Sequence, residues 1–421
     1  MPTRNALAAC VAVGCALGSF ATPSVLAHDG PQVQVDPAAV EERPAIDVAL
    51  LLDTSNSMDG LIHQAKVQLW GVVGEFAKSH KHGQAPRLRV ALFEYGNNTL
   101  PASEGYIRQV VPLTSDLDKL SEALFSLTTN GGDEYCGQVI DQALTRLDWS
   151  QQAGAYKTIF IAGNEPFTQG EVDYREACKR AIQTGVVVNT IHCGDSHAGA
   201  SGMWGHAAQL AEGRSLNINQ DETRTVRIET PHDRILIELN AELNKTYLFY
   251  GDAEARDGFS RNQSVQDANA LKLGASVLAQ RGAAKAGSAY VQADRDLVDA
   301  MAANPEVLAD LEEDALPAPV ADLPEAERAE FVADMATRRA ELQVQIAEAT
   351  RLRDAYVAEE RRKLAEEAGE ELQATLGEAL VEAAQAQLAE AGFEPEEAVK
   401  PAPETPEASA APEAPETQPA S

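Results

Sequence analysis

Between Ile46 and about Gln220, short apolar runs alternate with amphipathic stretches of helical length, and that alternation leaves the chain few folds to choose from. "IDVALLLD" (46–53), "LRVALFEY" (88–95), "YKTIFIAG" (156–163) and "VVVNTIHCG" (186–194) are near-continuous apolar runs of strand length; "IRQVVPL" (107–113) and "SLNIN" (215–219) are shorter companions. Between them lie "GLIHQAKVQLWGVVGEFAKSH", "LDKLSEALFSL", "GQVIDQALTRL", "EVDYREACKRAIQT" and "GHAAQLAEG", all spaced as helices. In the first of these, Leu61, Ile62, Val67, Leu69, Val73 and Phe76 make one broad apolar face, and Gly185 fits the C-cap of the fourth. Strands joined through helices need crossover connections, and strands that are apolar throughout are covered on both faces. The expected fold class is therefore α/β, a doubly wound, mostly parallel sheet flanked by helices. In such sheets ligands bind beyond the carboxyl ends of the strands, and the first strand ends in Asp53.

The flanking sequence divides by composition. Residues 1–27 read as an export signal: Arg4, then the apolar "ALAACVAVGCALGSFA", then Val25-Leu26-Ala27 before His28. "LAAC" and "AVGC" also allow a lipoprotein, which is disfavoured because little apolar sequence precedes Cys10 and the run continues past Cys15. The expected location is exported, periplasmic or secreted. Residues 28–45 are a proline-bearing linker, 46–221 the α/β domain and 222–318 an all-helical region. That region is expected to hold one helix in "RIETPHDRILIELNAELNKTYLFYG" and a second in "RNQSVQDANALKLGASVLAQRGAAK". Residues 319–393 carry a long amphipathic, coiled-coil-like helix from Glu325. Its Phe331, Met335, Leu342, Ala349 and Tyr356 keep heptad-like spacing, while Leu364, Ala368, Leu372, Leu376 and Leu380 shift to fours, with a break near Gly369. Such a helix needs a partner, either the second region of its own chain or another copy. Residues 394–421 form an acidic, proline-rich disordered tail. Beyond the signal no stretch stays apolar for the roughly 18 residues of a membrane span.

With 65 acids against 34 bases the net charge is −31, which repels a phosphate backbone and excludes nucleic acid as a partner. Removal of the signal leaves Cys136, Cys178 and Cys193. Their spacing does not resemble a zinc site, and an oxidising compartment predicts one disulfide and one free thiol. Spacing leaves the pairing open; Cys136 with Cys193 is favoured because both fall near one edge of the sheet.

"DTSNS" follows the first strand directly. One reading is helix capping, by Asp53 with Ser55 or Ser57. The other is a cation site, since three oxygen donors on a tight loop with few formal charges suit Mg²⁺. The stretch "IDVALLLDTSNS", with the alternation that follows it, resembles the Asp-x-Ser-x-Ser motif of von Willebrand factor A domains over roughly Ala45 to Gln220. The export signal and alanine-rich composition point to a secreted bacterial type. That family holds a divalent cation, Mg²⁺ or alternatively Mn²⁺ or Ca²⁺, at the top of the sheet in a metal-ion-dependent adhesion site. The resemblance implies Asp53, Ser55 and Ser57 as ligands. In the second loop, "TTNGGDEYCG" puts Asp133 where the family has a threonine, to act as a ligand or to cap the helix from about Tyr135. In the third, Gly163-Asn164 replaces the family's Asp-Gly pair, leaving Asn164 or Glu165 to supply an oxygen through water.

No nucleophile elbow or phosphate loop occurs. Cys193 beside His192 is a poor nucleophile and base pair, because neighbours on a strand face opposite ways. His197 and His206 are expected on the top surface in structural roles. The expected function is an exported, non-enzymatic protein-binding module that uses a divalent cation and takes a protein partner through an acidic side chain, with self-association through the C-terminal helices. The alternative is a cell-envelope scaffold acting through its helical half, with a degenerate, metal-free A domain. A cysteine-dependent enzyme is the third.

Overall fold

The computed structural model describes residues 43–218, 228–368 and 376–395. The export signal, most of the first linker, residues 219–227, the expected break near Gly369 with Leu372, and residues 396–421 lie outside these. A six-stranded sheet is built from β1 (Ala45–Asp53), β2 (Arg87–Tyr95), β3 (Ile107–Thr114), β4 (Tyr156–Gly163), β5 (Val187–Cys193) and β6 (Ser215–Ile218), in the order β3-β2-β1-β4-β5-β6. All neighbours are parallel except β3, which runs antiparallel to β2 at one edge. The sheet is thus the mostly parallel, helix-flanked one expected from the sequence. All nine residues of central β1 are buried, which is why it reads as a continuous apolar run. Its one interior charge, Asp47, is compensated by Arg89 Nε and Nη2, which donate at 2.8 and 2.7 Å, and by the Ser150 amide at 2.7 Å.

Six helices follow the strands: α1 (Asp59–Ala77), α2 (Leu117–Ser126), α3 (Cys136–Arg146), α4 (Tyr174–Gln183), α5 (Ser196–Ser201) and α6 (Trp204–Leu210). α1 and α2 cover one face of the sheet; α3, α4 and α6 cover the other. Gly185, at φ +71°, takes the left-handed conformation that ends α4.

The helical region comprises α7 (Asp233–Asn244), α8 (Ala253–Leu273), α9 (Ala275–Ala286), α10 (Leu297–Ala303), α11 (Val307–Asp310), α12 (Ala318–Ala321) and the 44-residue α13 (Glu325–Ala368). The single helix expected over residues 261–285 is two, because Gly274 sits at φ +149°, outside helical space and open to glycine alone. α13 lies along α7, α9 and α10, burying Val332, Leu342, Ile346 and Ala349, while Tyr356 and Leu364 farther along are exposed.

This region is joined to the sheet domain by buried charge. Arg281 on α9, with no exposed surface, donates to Asp118 on α2 at 2.6 Å and to Asp267 on α8 at 2.5 Å, and stacks 4.6 Å from the Trp70 ring on α1. Tyr290 donates to the other Asp118 oxygen at 2.6 Å. Arg295 bonds Asp116 at 2.7 Å, Arg339 ties α13 to Asp296 and Asp299 at 2.7 and 2.8 Å, and Arg353 ties it to Asp233 at 2.9 Å. α1 is consequently buried on two sides, against the sheet and against α9.

A last helix, α14 (Leu376–Glu390), completes the α1 face of the sheet, although β6 ends far upstream at Ile218. Its Leu376, Leu380, Ala383 and Leu388 share one core with Leu50, Leu69, Phe160 and Ile191. Gln387 accepts from the Tyr156 hydroxyl at 2.6 Å and donates to Asn189 at 2.8 Å, fixing the helix in register on β4 and β5. Glu394–Pro395 then pairs with Ser79–His80 beyond α1.

Two substitutions probe this construction. Arg281→Ala removes the guanidinium shared by Asp118 and Asp267, leaving Asp118 with Tyr290 and Asp267 with Asn240, Asn244 and Lys285, and is expected to cost about 3–5 kcal/mol, and Leu380→Ala about 2–5 kcal/mol through the cavity it leaves. Denaturant melts of the full chain measure both; a loss below about 1 kcal/mol for either means the corresponding contact does not hold the fold.

Candidate metal centre

The centre is built from loops at the carboxyl end of the sheet. Asp53, the last residue of β1, is fully buried, and so is Thr54. The Asp53 Oδ1 atom accepts from the Ser55 amide at 2.7 Å, while Oδ2 is buried with no hydrogen-bond partner. An ionised oxygen in that state is costly unless a donor or cation meets it. Ser55 is extended (φ −65°, ψ 167°), and a 3₁₀ turn over Asn56–Met58 leads into α1, leaving Ser55 Oγ and Ser57 Oγ 3.3 Å apart. Neither serine caps a helix: Ser55 heads the turn and Met58 heads α1, both without a side-chain cap bond.

A second loop, Thr128–Tyr135, is drawn onto this one. Asn130 N donates to Thr54 O at 2.9 Å, Asn98 N donates to Gly131 O at 2.9 Å, and the Thr129 hydroxyl bonds Asp59. A Cβ on Gly132 would fall 2.6 Å from Gly96 O, so the glycine is what lets the two backbones meet. Asp133 does not join the site. Its side chain is exposed and accepts from the Tyr135 hydroxyl at 3.2 Å, and it caps nothing, since α3 starts without a side-chain cap. The inward carboxylate is Glu134, only 7% exposed. Glu134 Cγ and Asp53 Oδ1 both lie within 3 Å of where a Gly96 Cβ would be, at 2.8 and 2.9 Å. What turns Glu134 inward is the backbone: Cys136 N donates to Glu134 O at 3.2 Å across Tyr135 (φ −93°, ψ 78°), a tight turn into α3 that spacing alone does not announce.

The third loop follows β4. A Cβ at Gly163 would lie 2.4 Å from the Tyr95 hydroxyl and 3.1 Å from Asp53 Oδ2. The hydroxyl, donating to Ala162 O at 3.0 Å, fills the space an acid would need there. Asn164 Nδ2 donates to Ser57 Oγ at 3.1 Å, while its Oδ1 is buried and unpartnered. Gln169 bridges the second and third loops, donating to Glu165 at 3.1 Å and accepting from the Glu134 amide at 3.3 Å. Asp53, Ser55, Ser57 and Asn164 are therefore brought together, Glu165 stands beside them, and Asp133 points away. Among the described residues no three His, Cys, Asp or Glu side chains gather as a metal cluster, so a cation here would depend on hydroxyl, amide and carboxylate oxygens in combination.

The von Willebrand factor type A domain model matches residues 47–204. This segment is a type A domain. Among solved structures the chain is similar to the SpRpn10 VWA domain, at 17% identity over 43% of this chain and 90% of that one, TM-score 0.33. It is also similar to BatB from Bacteroides thetaiotaomicron, at 17% identity over 52% and 98% of the respective chains, TM-score 0.32. Proximal thread matrix protein 1 from the mussel byssus, in a structure with a zinc-occupied MIDAS motif, matches at 14% identity over 44% of each chain, TM-score 0.33. No curated protein matches in sequence.

In the type A domain the cysteines are free and buried, not bridged. Cys193 faces the α1 side of the sheet, whereas Cys136 and Cys178 face the other, so the sheet itself separates the favoured pair. Burial pushes all three thiols up, Cys178 to about 12, and Asp53 adds to the rise at Cys136 and Cys193. Protonated thiols are poor nucleophiles. His192 is held by Asn217 at 2.8 Å and His206 by the Tyr174 hydroxyl at 2.8 Å, while His197 is exposed on α5.

Burial raises the Asp53 carboxyl to about 6, against the bonds from Ser55, and burial with the charges of Asp53 and Glu165 raises Glu134 to about 8. Both folded values exceed the unfolded ones, so the folded state holds these protons more tightly. Their cost is absent below about pH 4 and complete only above the higher folded value. In chelator, Asp53→Asn and Glu134→Gln should therefore gain stability relative to the unsubstituted chain as pH rises from 5 to 8. Urea melts across that range check it, and a difference independent of pH contradicts the crowding of these two acids.

Proposed function

We propose that the chain is an exported, periplasmic or secreted protein-binding module whose type A domain presents a partner surface at the loop end of its sheet, organised by a divalent cation. The observation that carries this is Asp53: a fully buried carboxylate with one oxygen unpartnered, beside two serine hydroxyls 3.3 Å apart and the unpartnered Asn164 Oδ1. These residues fit a hard cation with an incomplete protein shell, Mg²⁺ first and Mn²⁺ or Ca²⁺ as alternatives. Asp53, Ser55 and Ser57 would hold it, with Asn164 reached directly or through water. Bound there, the ion supplies a positive centre that an acidic side chain of a partner protein can complete. Domains of this type generally mediate protein interactions.

The chain's own residues have separable parts in this reading. Asp53 provides the fixed charge, and its Oδ1 bond to the Ser55 amide sets the angle of the loop. Asn164, donating to Ser57, ties the third loop to the first. Thr129 and Asn130 tie the second loop to α1 and Thr54, so that ordering one loop orders all three. The reading is non-enzymatic: the thiols are buried and protonated, and the site offers oxygen donors for holding an ion rather than a nucleophile with its base. The helical region serves as a rigid extension of the binding domain, clamped through Arg281 and Arg295.

Thermal melts of the full chain in Mg²⁺, Mn²⁺, Ca²⁺ or chelator test the reading. Saturation at a hundred times Kd stabilises by about 2.7 kcal/mol, and Asp53→Ala should abolish that cation-dependent rise. Identical melting with every cation and with chelator would remove the metal and leave the envelope-scaffold alternative.

A further inference from the structure

We infer that Glu134 is a further ligand of the cation, an internal carboxylate occupying the position that a partner's acidic group would otherwise take. The inference rests on the cation reading above and goes beyond it by naming a residue outside the Asp-x-Ser-x-Ser motif.

Three features converge on it. Glu134 is 7% exposed although it lies on a surface loop, and burying an ionised carboxylate is unfavourable unless donors or a cation meet it. No ion pair involving Glu134 occurs among the described residues. Its Cγ and Asp53 Oδ1 converge on one spot, within 3 Å of the Cβ that Gly96 lacks. The loop that carries it is also fixed rather than free: Gly132 rests on the Gly96 carbonyl, Asn130 donates to Thr54, and the Glu134 amide donates to Gln169. A side chain on Gly96 would collide with the Glu134 stem and with Asp53 Oδ1, so that glycine is what lets Glu134 lie beside Asp53. Meanwhile Asp53 Oδ2 supplies the independent sign of a missing positive group, being fully buried and unpartnered.

The chemical consequence is a change in what the centre offers. Two carboxylates cancel the charge of a divalent ion, whereas Asp53 alone leaves it net positive and attractive to a third carboxylate. With Glu134 in place the ion joins the first and second loops of its own chain. A partner's acid must then displace Glu134, or the partner must bind the rim instead.

Isothermal titration of the full chain with MnCl₂ and MgCl₂ tests this, with folding of each variant verified by urea melts. The expected result is that Glu134→Gln weakens Mn²⁺ binding at least tenfold, Asp53→Asn abolishes it, and Asp133→Asn leaves it unchanged. A Glu134→Gln chain that binds Mn²⁺ as tightly as the unsubstituted one, while Asp53→Asn does not bind, overturns the role of Glu134 and leaves the cation site standing. An unsubstituted chain that binds neither ion removes both. If Asp53→Asn unfolds, the double variant Ser55→Ala/Ser57→Ala replaces it as the site control.

Discussion

The structure depends on burying β1 from both sides. A central strand with no exposed residue needs a complete helical layer on each face, and the two layers are obtained differently. One comes from α3, α4 and α6, all within the type A segment. The other begins with α1 and α2 and is finished by α14, which arrives only after the whole helical region. Because α1 is itself covered by α9, the α1 face of the sheet and α9 share one apolar core, while the opposite face and the rest of the helical region have cores of their own. Buried ion pairs at Arg281 and Arg295 fix how the helical region meets the sheet domain, and those at Arg339 and Arg353 fix α13 within the helical region, since each charge would be costly in any other arrangement.

The same burial creates the centre. Extending the core strand to Asp53 places a carboxylate at full burial where the chain must turn. Its first oxygen is satisfied by the turn, and its second is left over. Tyr95 fills the space where an acid on β4 would stand, and Glu134 enters from the opposite side. Negative charge at this end of the sheet is thereby moved from β4 to the loop before α3, and the two loops are bridged by Gln169.

Much of this was legible in the sequence, for reasons specific to each element. Apolar runs such as "YKTIFIAG" announce doubly covered strands, and the boundaries of β4 match it residue for residue. "DTSNS" announced the first loop because its spacing is rigidly local. Glu134 was not legible from counting, since a loop's inward residue depends on how the backbone turns, and here the turn from Glu134 to Cys136 sets it one position from Asp133. The break at Gly274 was hidden in an alanine-rich run whose composition favours helix throughout. Nor could periodicity show that Leu376 and Leu380 belong to the sheet: an apolar stripe records that a surface is covered, not which surface covers it. The cysteine pairing failed for a similar reason, as nearness to one edge does not say on which side of a sheet a thiol points.

The placement of α14 sets a temporal order on the molecule's formation. During synthesis, at about 5–20 residues per second, the helix that seals Leu50, Leu69 and Phe160 emerges on the order of 10–30 s after the last strand of the sheet. A sheet that folded within that interval would have one layer unfinished and an apolar face in contact with solvent. A chaperone that shields this face, or transport of the chain before it folds, meets a need that follows directly from where the last helix is encoded.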